Sequence, residues 1–375
     1  MSQEESFDVT IFGGGPSGAS TAIFLAQSGF SVLIVTRKAR QGKRIGESLS
    51  PQSSIVLKQL GLWEIFLKDG HLPCHGNKSV WGGSELAHKD FICNPYGHGW
   101  HIDRTMFERR LLERARASGA RIIQIDLPPR LSRRHESWTL DFQSPVESIQ
   151  TRFLVDATGR ARWVARGQGA QFVFEDRQVA LISFFRPTHR RLEDSTSLVE
   201  ATEDGWWYSA AIPDGNLAVA FMTDPDLHIL KEIVSGTGWM KIMCDAPQTA
   251  ARILRHNYEL ATEPRLVPAN SGRLDSVCSE GWLAVGDAAI SLDPLAAHGL
   301  TIAMTSGRDA AEVICRHFGG DRPALSAYAA FIVGVYDYYR SIRYQYYFIE
   351  DRWPEARYWA RRRDWVVKSL ERSIN

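Results

Sequence analysis

Three short blocks of this 375-residue chain carry residue types and spacings able to do chemistry. The first is Gly13-Gly14-Gly15-Pro16-Ser17-Gly18, directly after the apolar run Asp8–Phe12. Gly13, Gly15 and Gly18 have the G-x-G-x-x-G spacing. The first glycine permits a tight turn, the second lets a pyrophosphate approach the backbone, and the third lets a helix pack closely on a strand. The following helix would offer phosphates its free N–H groups and partial positive charge. The spacing predicts a dinucleotide cradle that includes Pro16 and Ser17. An Asp or Glu usually follows about 20 residues later and accepts from the ribose hydroxyls. Here that position reads Thr36-Arg37. Thr36 offers a weaker bond than a carboxylate, and Arg37 offers a phosphate contact or a stack on adenine. An Arg also suits a 2′-phosphate, so this stretch alone leaves NADP open.

The second block is Gly286-Asp287, which opens into AAISLDPLAAHGLTIAM. A carboxylate at a strand end, then a Gly/Pro loop feeding a helix, suits the polyol and ring of a flavin. Asp287 would accept from a ribityl hydroxyl. The helix starting at Gly299-Leu300 would aim N–H groups at the ring edge where negative charge develops on reduction. A nicotinamide protein has no need of this second site. The third block, Asp156-Ala157-Thr158-Gly159-Arg160, ends a strand, and Gly159 allows close backbone approach.

The elements that must position these blocks are legible. Asp8–Phe12, Ser17–Ser28 and Ser31–Val35 read as strand, helix and strand, a βαβ unit with a parallel pair. Pro51–Leu60 and Phe107–Ser118 read as helices, and Arg121–Ile125, Phe153–Ala157 and Trp282–Val285 as strands. Gly299–Phe318 reads as a long helix, followed by a helical tail from Pro323 rich in Tyr, Trp and Arg. From Gln178 to Thr223 the pattern alternates like an antiparallel sheet, and Leu72–Trp100 has a similar texture. The expected class is α/β. A Rossmann-like domain is assembled from residues 1–70, 101–175 and 265–322, with a substrate domain from 71–100 and 176–264 inserted into it. A helical segment, 323–375, closes the chain.

Composition narrows the setting. A net charge of +1 points to no nucleic acid partner. Five scattered cysteines and an acidic start argue for a cytoplasmic protein rather than a secreted one. No stretch of about 18 apolar residues predicts a membrane span. His71, Cys74, His75, Cys93, His98 and His101 cluster in sequence but match no zinc spacing, so no metal is expected. Twelve tryptophans fit either core packing or an aromatic-lined cavity. The Arg- and Trp-rich stretch Arg352–Arg363 fits a protein-binding clamp or a solvated last helix.

Over nearly its whole length the chain resembles the FAD-dependent family of the p-hydroxybenzoate hydroxylase fold. The N-terminal glycines, the ATG block and the late Gly-Asp block carry that resemblance. RIGESLSP (Arg44–Pro51), GWWYSAAIP (Gly205–Pro213) and GDAAISLDPLAAHGL (Gly286–Leu300) look like its tryptophan-halogenase-like branch. HGNKSVWGG, NPYGHGWHIDR and DRWPEARYWARRR look most like the branch members that modify a tryptophan in a precursor protein to form tryptophylquinone. The resemblance implies FAD as cofactor, O2 as co-substrate, and electrons from NAD(P)H or a separate reductase. It implies that Arg44, Glu47 and Ser48 lie near the flavin ring, that Arg104 reaches the phosphate or ribityl region, and that Pro294 and His298 sit in the flavin loop. Glu47, Trp207 and Tyr208, the last two expected on the substrate-domain sheet, are candidate groups lining the substrate, with His298 as a candidate acid or base.

Halogenases of this branch carry a Glu and a Ser in that loop, where this chain has Ala296 and Ala297. They also need a lysine between flavin and substrate, and Lys78 falls in the corresponding region. The sequence therefore favours oxidation of an aromatic ring, with a peptidyl tryptophan as first choice. A small aromatic metabolite comes next, then halogenation, and a flavin-binding assembly factor without catalysis is the alternative of another class.

Overall fold

A computed structural model describes residues 5–38, 46–143, 148–188, 194–230 and 236–364. Its first layer is a mainly parallel sheet. Strand Glu5–Phe12 lies between Val32–Arg37 and Ile149–Asp156, parallel to both. Arg121–Ile125 extends the sheet on one side and Trp282–Ala284 on the other. Val9, Ile11, Leu33, Ile34, Leu154 and Val155 are fully buried, as strands covered on both faces must be. The register pairs Phe12 with Asp156 and with Val35, and Asp156 with Ala284. All three motif blocks therefore leave the sheet at one edge, the carboxyl ends of the strands, where open α/β sheets bind ligands.

The helices Pro16–Gln27 and Gly299–Phe318 cross in close contact over this sheet. At the crossing, a Cβ on Gly307 would lie 2.6 Å from the Ser17 carbonyl oxygen and 2.9 Å from the Thr21 nitrogen. Only glycine lets the two backbones approach that closely. Ser20 adds a buried 2.7 Å hydrogen bond to the Met304 carbonyl.

The second layer is an eight-stranded sheet containing Val179–Pro187, Leu217–Thr223, Gly205–Ala211 and Ser197–Thr202 in antiparallel order. Gly76–Val80 joins its edge in parallel to Ser197–Thr202, followed by Ala87–Asp90. The Leu72–Trp100 segment is thus divided. Leu72–Cys74 and Gly99–His101 instead form a small sheet with Ser48–Leu49. Strand Arg265–Pro268, expected with the nucleotide domain, pairs with Val179–Pro187, so the return to the first layer comes after Pro268.

The antiparallel sheet has two dissimilar faces. Its back packs Trp207, Val219 and Phe221 against Trp239, Met243 and Ile253 of two covering helices. Its front carries Trp206, Ala220 and Met222 and meets Tyr347, Tyr358 and Trp359 from the end of the chain. Helix Ala324–Ile349 links the layers: Tyr328 donates to the Ala284 carbonyl at one end, and Tyr347 reaches the sheet front at the other. Trp359 and Arg362, on a final helix over 357–364, are fully buried in the chain itself. These residues are core groups, which corrects the reading of the whole Arg352–Arg363 stretch as a solvated helix or a partner clamp. No helix among the described residues is long and apolar enough to cross a membrane.

Candidate active site

The three glycines of the block differ in what a side chain would meet. Gly13 has φ +111°, and a Cβ there would sit 2.1 Å from the Ala157 carbonyl oxygen. A Cβ on Gly18 would sit 2.0 Å from the Gly13 carbonyl. Both glycines are required by the fold. Gly15 is different: a Cβ there meets no atom of the chain within 4 Å. The helix beginning at Pro16 has no side-chain cap on its N–H groups. The cradle thus presents an open backbone and an uncapped helix end, while Pro16, Ser17 and Gly18 are buried beneath it.

Thr36 ends the neighbouring strand, with its Oγ1 3.2 Å from where a Gly14 Cβ would lie. Arg37 beside it is exposed. No acid replaces the missing carboxylate on this strand end. Thr36→Glu is expected to tighten FAD about fivefold, the effect of roughly 1 kcal/mol from one charge-assisted bond. A flavin-fluorescence titration that finds no tightening removes ribose contact from this position.

The Asp156 block is mostly structural. Buried Asp156 accepts from the Thr158 N–H (2.9 Å) and hydroxyl (2.7 Å) through one oxygen, and from the Ala165 N–H (2.8 Å) through the other. The Thr158 hydroxyl also accepts from the Trp163 N–H at 2.9 Å. Its side chain is committed locally. Gly159, with open space where a Cβ would be, faces outward. Arg160, quoted in the sequence block without a role, lies 3.7 Å from Asp287 and donates to the Asn270 carbonyl. It orients the carboxylate expected to hold the ribityl chain. Gly286 packs against Ser17, joining the second block to the first.

Beyond Asp287 the chain enters the loop Asp293–Gly299. Asp293 is buried and caps the turn Pro294–Ala296 through the Leu295 N–H. Ala297 has φ +50°. Pro294, His298 and Gly299 are exposed, and Leu300 turns back into the core. The helix starting at Gly299 also has no side-chain cap, and a Gly299 Cβ would meet nothing. His298 lies in a recess that partly desolvates it and lowers its pKa.

The segment Gly46–Ser50 closes the site from the other side. The Ser50 hydroxyl lies 3.2 Å from Thr301 on the long helix, and the Ser48 hydroxyl 2.6 Å from the Tyr208 hydroxyl. These contacts bring the loop helix, Glu47 and the sheet front together. Burial pushes the Glu47 carboxyl upward, against bonds from its own backbone and from Gly46 and the Tyr208 hydroxyl. Tyr208 is raised well above its ordinary value by burial and the nearby Glu47. Arg104 bonds the Gly46 carbonyl (2.8 Å) and Glu108 (2.8 Å), so it braces this segment. Arg44 lies outside the described residues.

The raised Glu47 pKa fixes a sign. Its protonated form is favoured in the fold, so that stability is present below the ordinary carboxyl pKa of 4.5 and is lost as pH rises. Glu47→Gln is therefore expected to melt above the wild type at pH 7.5 and to converge with it near pH 4. A constant offset across that range contradicts a buried, titrating Glu47.

Trp207 does not join this site. Successive strand residues face opposite ways, so with Tyr208 on the front, Trp207 points back, 4.8 Å from Trp239 between ring centroids. Its expected role as a substrate wall is corrected to core packing, and Trp206 is the tryptophan on the front. Lys78 shares the back face: it is in register with Leu198, opposite in parity to Val199 and Tyr208, and pairs with Asp194 at 2.8 Å. Among the described residues no three His, Cys, Asp or Glu side chains assemble as a metal site.

The residues along this sheet edge suit a flavin nucleotide. A Cβ on Gly15, Gly159 or Gly299 would meet no atom of the chain, the helices from Pro16 and Gly299 have no side-chain cap, and Asp287 follows the strand Trp282–Ala284 at the same sheet edge. Residues 6–203, more than half the chain, match the family model described as FAD binding domain. The chain belongs to this FAD-binding family. The flavoprotein is similar to LodB of Marinomonas mediterranea, whose name places it among FAD-dependent oxidoreductases. The two are 28% identical over 365 residues, 96% of this chain and 97% of LodB. It is 25% identical to the tryptophan 2-halogenase of Chondromyces crocatus over 339 residues, 87% of this chain and 64% of that enzyme. The myxobacterial chondrochloren halogenase CndH superposes with a TM-score of 0.84 at 22% identity, over 99% of this chain and 90% of that one. The peptidyl tryptophan dihydroxylase QhpG superposes at 0.73 and 21% identity, over 95% and 78% of the two chains. The flavoprotein is thus an FAD-dependent enzyme of the oxidoreductase and halogenase-like family, with the expected α/β fold.

Proposed function

We propose that this enzyme oxygenates an aromatic ring, and that the ring is a tryptophan carried by a precursor protein on its way to a tryptophylquinone. The observation that carries the proposal is the openness of the flavin loop. Pro294, Ala297, His298 and Gly299 are exposed, although Leu292, Asp293 and Leu300 on either side are buried. Ala297 and His298 are not assigned to the flavin, and their exposure leaves that side of the loop accessible to a side chain still attached to its own backbone. QhpG, which shares the fold, is a peptidyl tryptophan dihydroxylase essential for tryptophylquinone cofactor biogenesis, and this lends the reading support.

The reaction balances as a ring C–H plus O2, two electrons and two protons giving C–OH and water. The electrons come from NAD(P)H, directly or through a separate reductase. Bound FAD supplies two-electron chemistry and activation of O2. Gly13, Gly15, Pro16, Ser17, Gly18, Thr36, Arg37, Gly159 and Asp287 hold its adenosine, phosphate and ribityl parts, and Pro294, Gly299 and Leu300 its ring end. The remaining site groups act on the substrate. Burial keeps Tyr208 protonated, and burial also raises the neighbouring Glu47 carboxyl, so the two hydroxyl and carboxyl groups stand together beside the loop. His298, held toward its neutral form, accepts from the indole N–H. A cytoplasmic setting belongs to this reading, in keeping with the free thiols of all five cysteines.

Halogenation is the second reading, favoured by the named activities of several relatives. It is weakened here because Lys78 faces the back of the sheet, ion-paired with Asp194. The test supplies enzyme, FAD, a reductant, 18O2 and bromide to a precursor protein, and in parallel to free tryptophan. Oxygen-18 on the precursor tryptophan is expected. Bromine on the ring favours halogenation, and label on free tryptophan alone favours a metabolite substrate. Reduced FAD that labels nothing leaves the assembly factor.

A further inference from the structure

We infer that Tyr347, on the C-terminal helix, is a positioning residue that couples the front of the substrate sheet to the flavin-facing loop. Its hydroxyl donates to Asp293 at 2.8 Å and accepts from the Trp206 indole N–H at 3.0 Å. One buried oxygen thus joins three separate parts of the chain: the sheet, the root of the loop and the last long helix.

Asp293 is the point where this coupling reaches the cofactor. Its second oxygen holds the Leu295 N–H at 2.9 Å and so sets the turn that precedes His298 and the helix end at Gly299. The oxygen bonded to Tyr347 also accepts from Arg343 at 3.1 Å and Gln178 at 3.2 Å. The Asp293 N–H donates to Tyr339 on the same helix. Trp206, Gln178, Asp293, Tyr339, Arg343 and Tyr347 are at least nine-tenths buried, so the bonds among them have no water to replace them and the carboxylate has one defined orientation. Trp206 lies two residues from Tyr208 on the face that meets the cleft. A ring that displaces Trp206 pulls on the Tyr347 hydroxyl, and through it on the turn.

The inference rests on the proposed placement of FAD against the loop 294–299. A helix end displaced from the flavin stabilises the reduced, negatively charged ring less. Tyr347→Phe keeps the ring in the core and removes only the hydroxyl. It is expected to weaken FAD binding at least fivefold. It should also lower the relative affinity for reduced over oxidised flavin by about tenfold, a fall of about 30 mV in the midpoint potential of the bound cofactor. Tyr344→Phe is the control, because its hydroxyl bonds Glu175 and not Asp293; both values should stay at wild type. A Tyr347→Phe protein whose FAD affinity stays within twofold and whose potential is unmoved overturns the coupling, even if it melts earlier. So does an equal change in the control. If Tyr347→Phe fails to fold, Trp206→Phe removes the other end of the bridge and is expected to move the potential the same way by less. No movement there is equally fatal. A wild-type chain that binds no FAD at all instead overturns the placement of the cofactor.

Discussion

Gly15→Ala is expected to leave the FAD-free protein as stable as the wild type while weakening FAD by roughly thirtyfold. Gly13→Ala, two residues earlier, is expected to destabilise the protein itself by roughly 3 kcal/mol. The contrast follows from what each new Cβ meets. At Gly13 it strikes the Ala157 carbonyl at 2.1 Å, on a backbone with φ +111° that side chains rarely adopt. At Gly15 it meets no protein atom, and φ is −75°, an ordinary value for alanine. Lost freedom in the unfolded chain even favours the variant by about 0.5 kcal/mol. On the proposed placement of FAD, the Gly15 Cβ enters the pyrophosphate's space, at a cost of about 2 kcal/mol of binding. Thermal melts without FAD and fluorescence titrations with it separate the two effects. Undiminished FAD binding by Gly15→Ala means that the phosphates lie elsewhere.

The second large effect concerns the buried charges behind the loop. Arg343 bonds Asp176 at 2.9 Å and Asp293 at 3.1 Å, with all three side chains at most 2% exposed. Removing the cation strands two carboxylates away from water. Arg343→Met is expected to cost about 3–5 kcal/mol, the usual range for breaking a buried pair from one side. Asp226→Asn removes an equally short contact, 2.6 Å to Arg361, but with the aspartate half exposed. Exposed pairs are worth about 0–1 kcal/mol, so its urea midpoint should scarcely move. Similar losses for the two variants would mean that burial does not set the value of these pairs.

Sequence and structure agree best where the signal is local. The cradle, the strand before it and the helix Gly299–Phe318 follow from glycine spacing, apolar runs and helix stops that lie within a few residues of one another. The faces of GWWYSAA do not follow, because two adjacent tryptophans satisfy either parity until the partner strand is known. Register against Leu217–Thr223 is what turns Trp206 and Tyr208 forward and Trp207 back. Lys78 is hidden for the same reason. The cluster around Asp293 is less legible still. Asp176 and Gln178, Asp293, and Arg343 and Tyr347 come from three widely separated stretches of the chain, and each reads as an ordinary polar residue. Only the path of the C-terminal helix brings them together. Arg160 sat inside a quoted motif, yet its partner Asp287 lies on a distant strand end.

The crossing at Gly307 has one more consequence. The two helices pinned there begin at two points of the proposed cofactor track, the phosphate cradle at Pro16 and the ring end at Gly299. Because their backbones touch, neither start can slide relative to the other, and the chain works as a fixed gauge of ligand length. The distance from flavin ring to phosphate is therefore set by a backbone contact that touches neither end of the ligand.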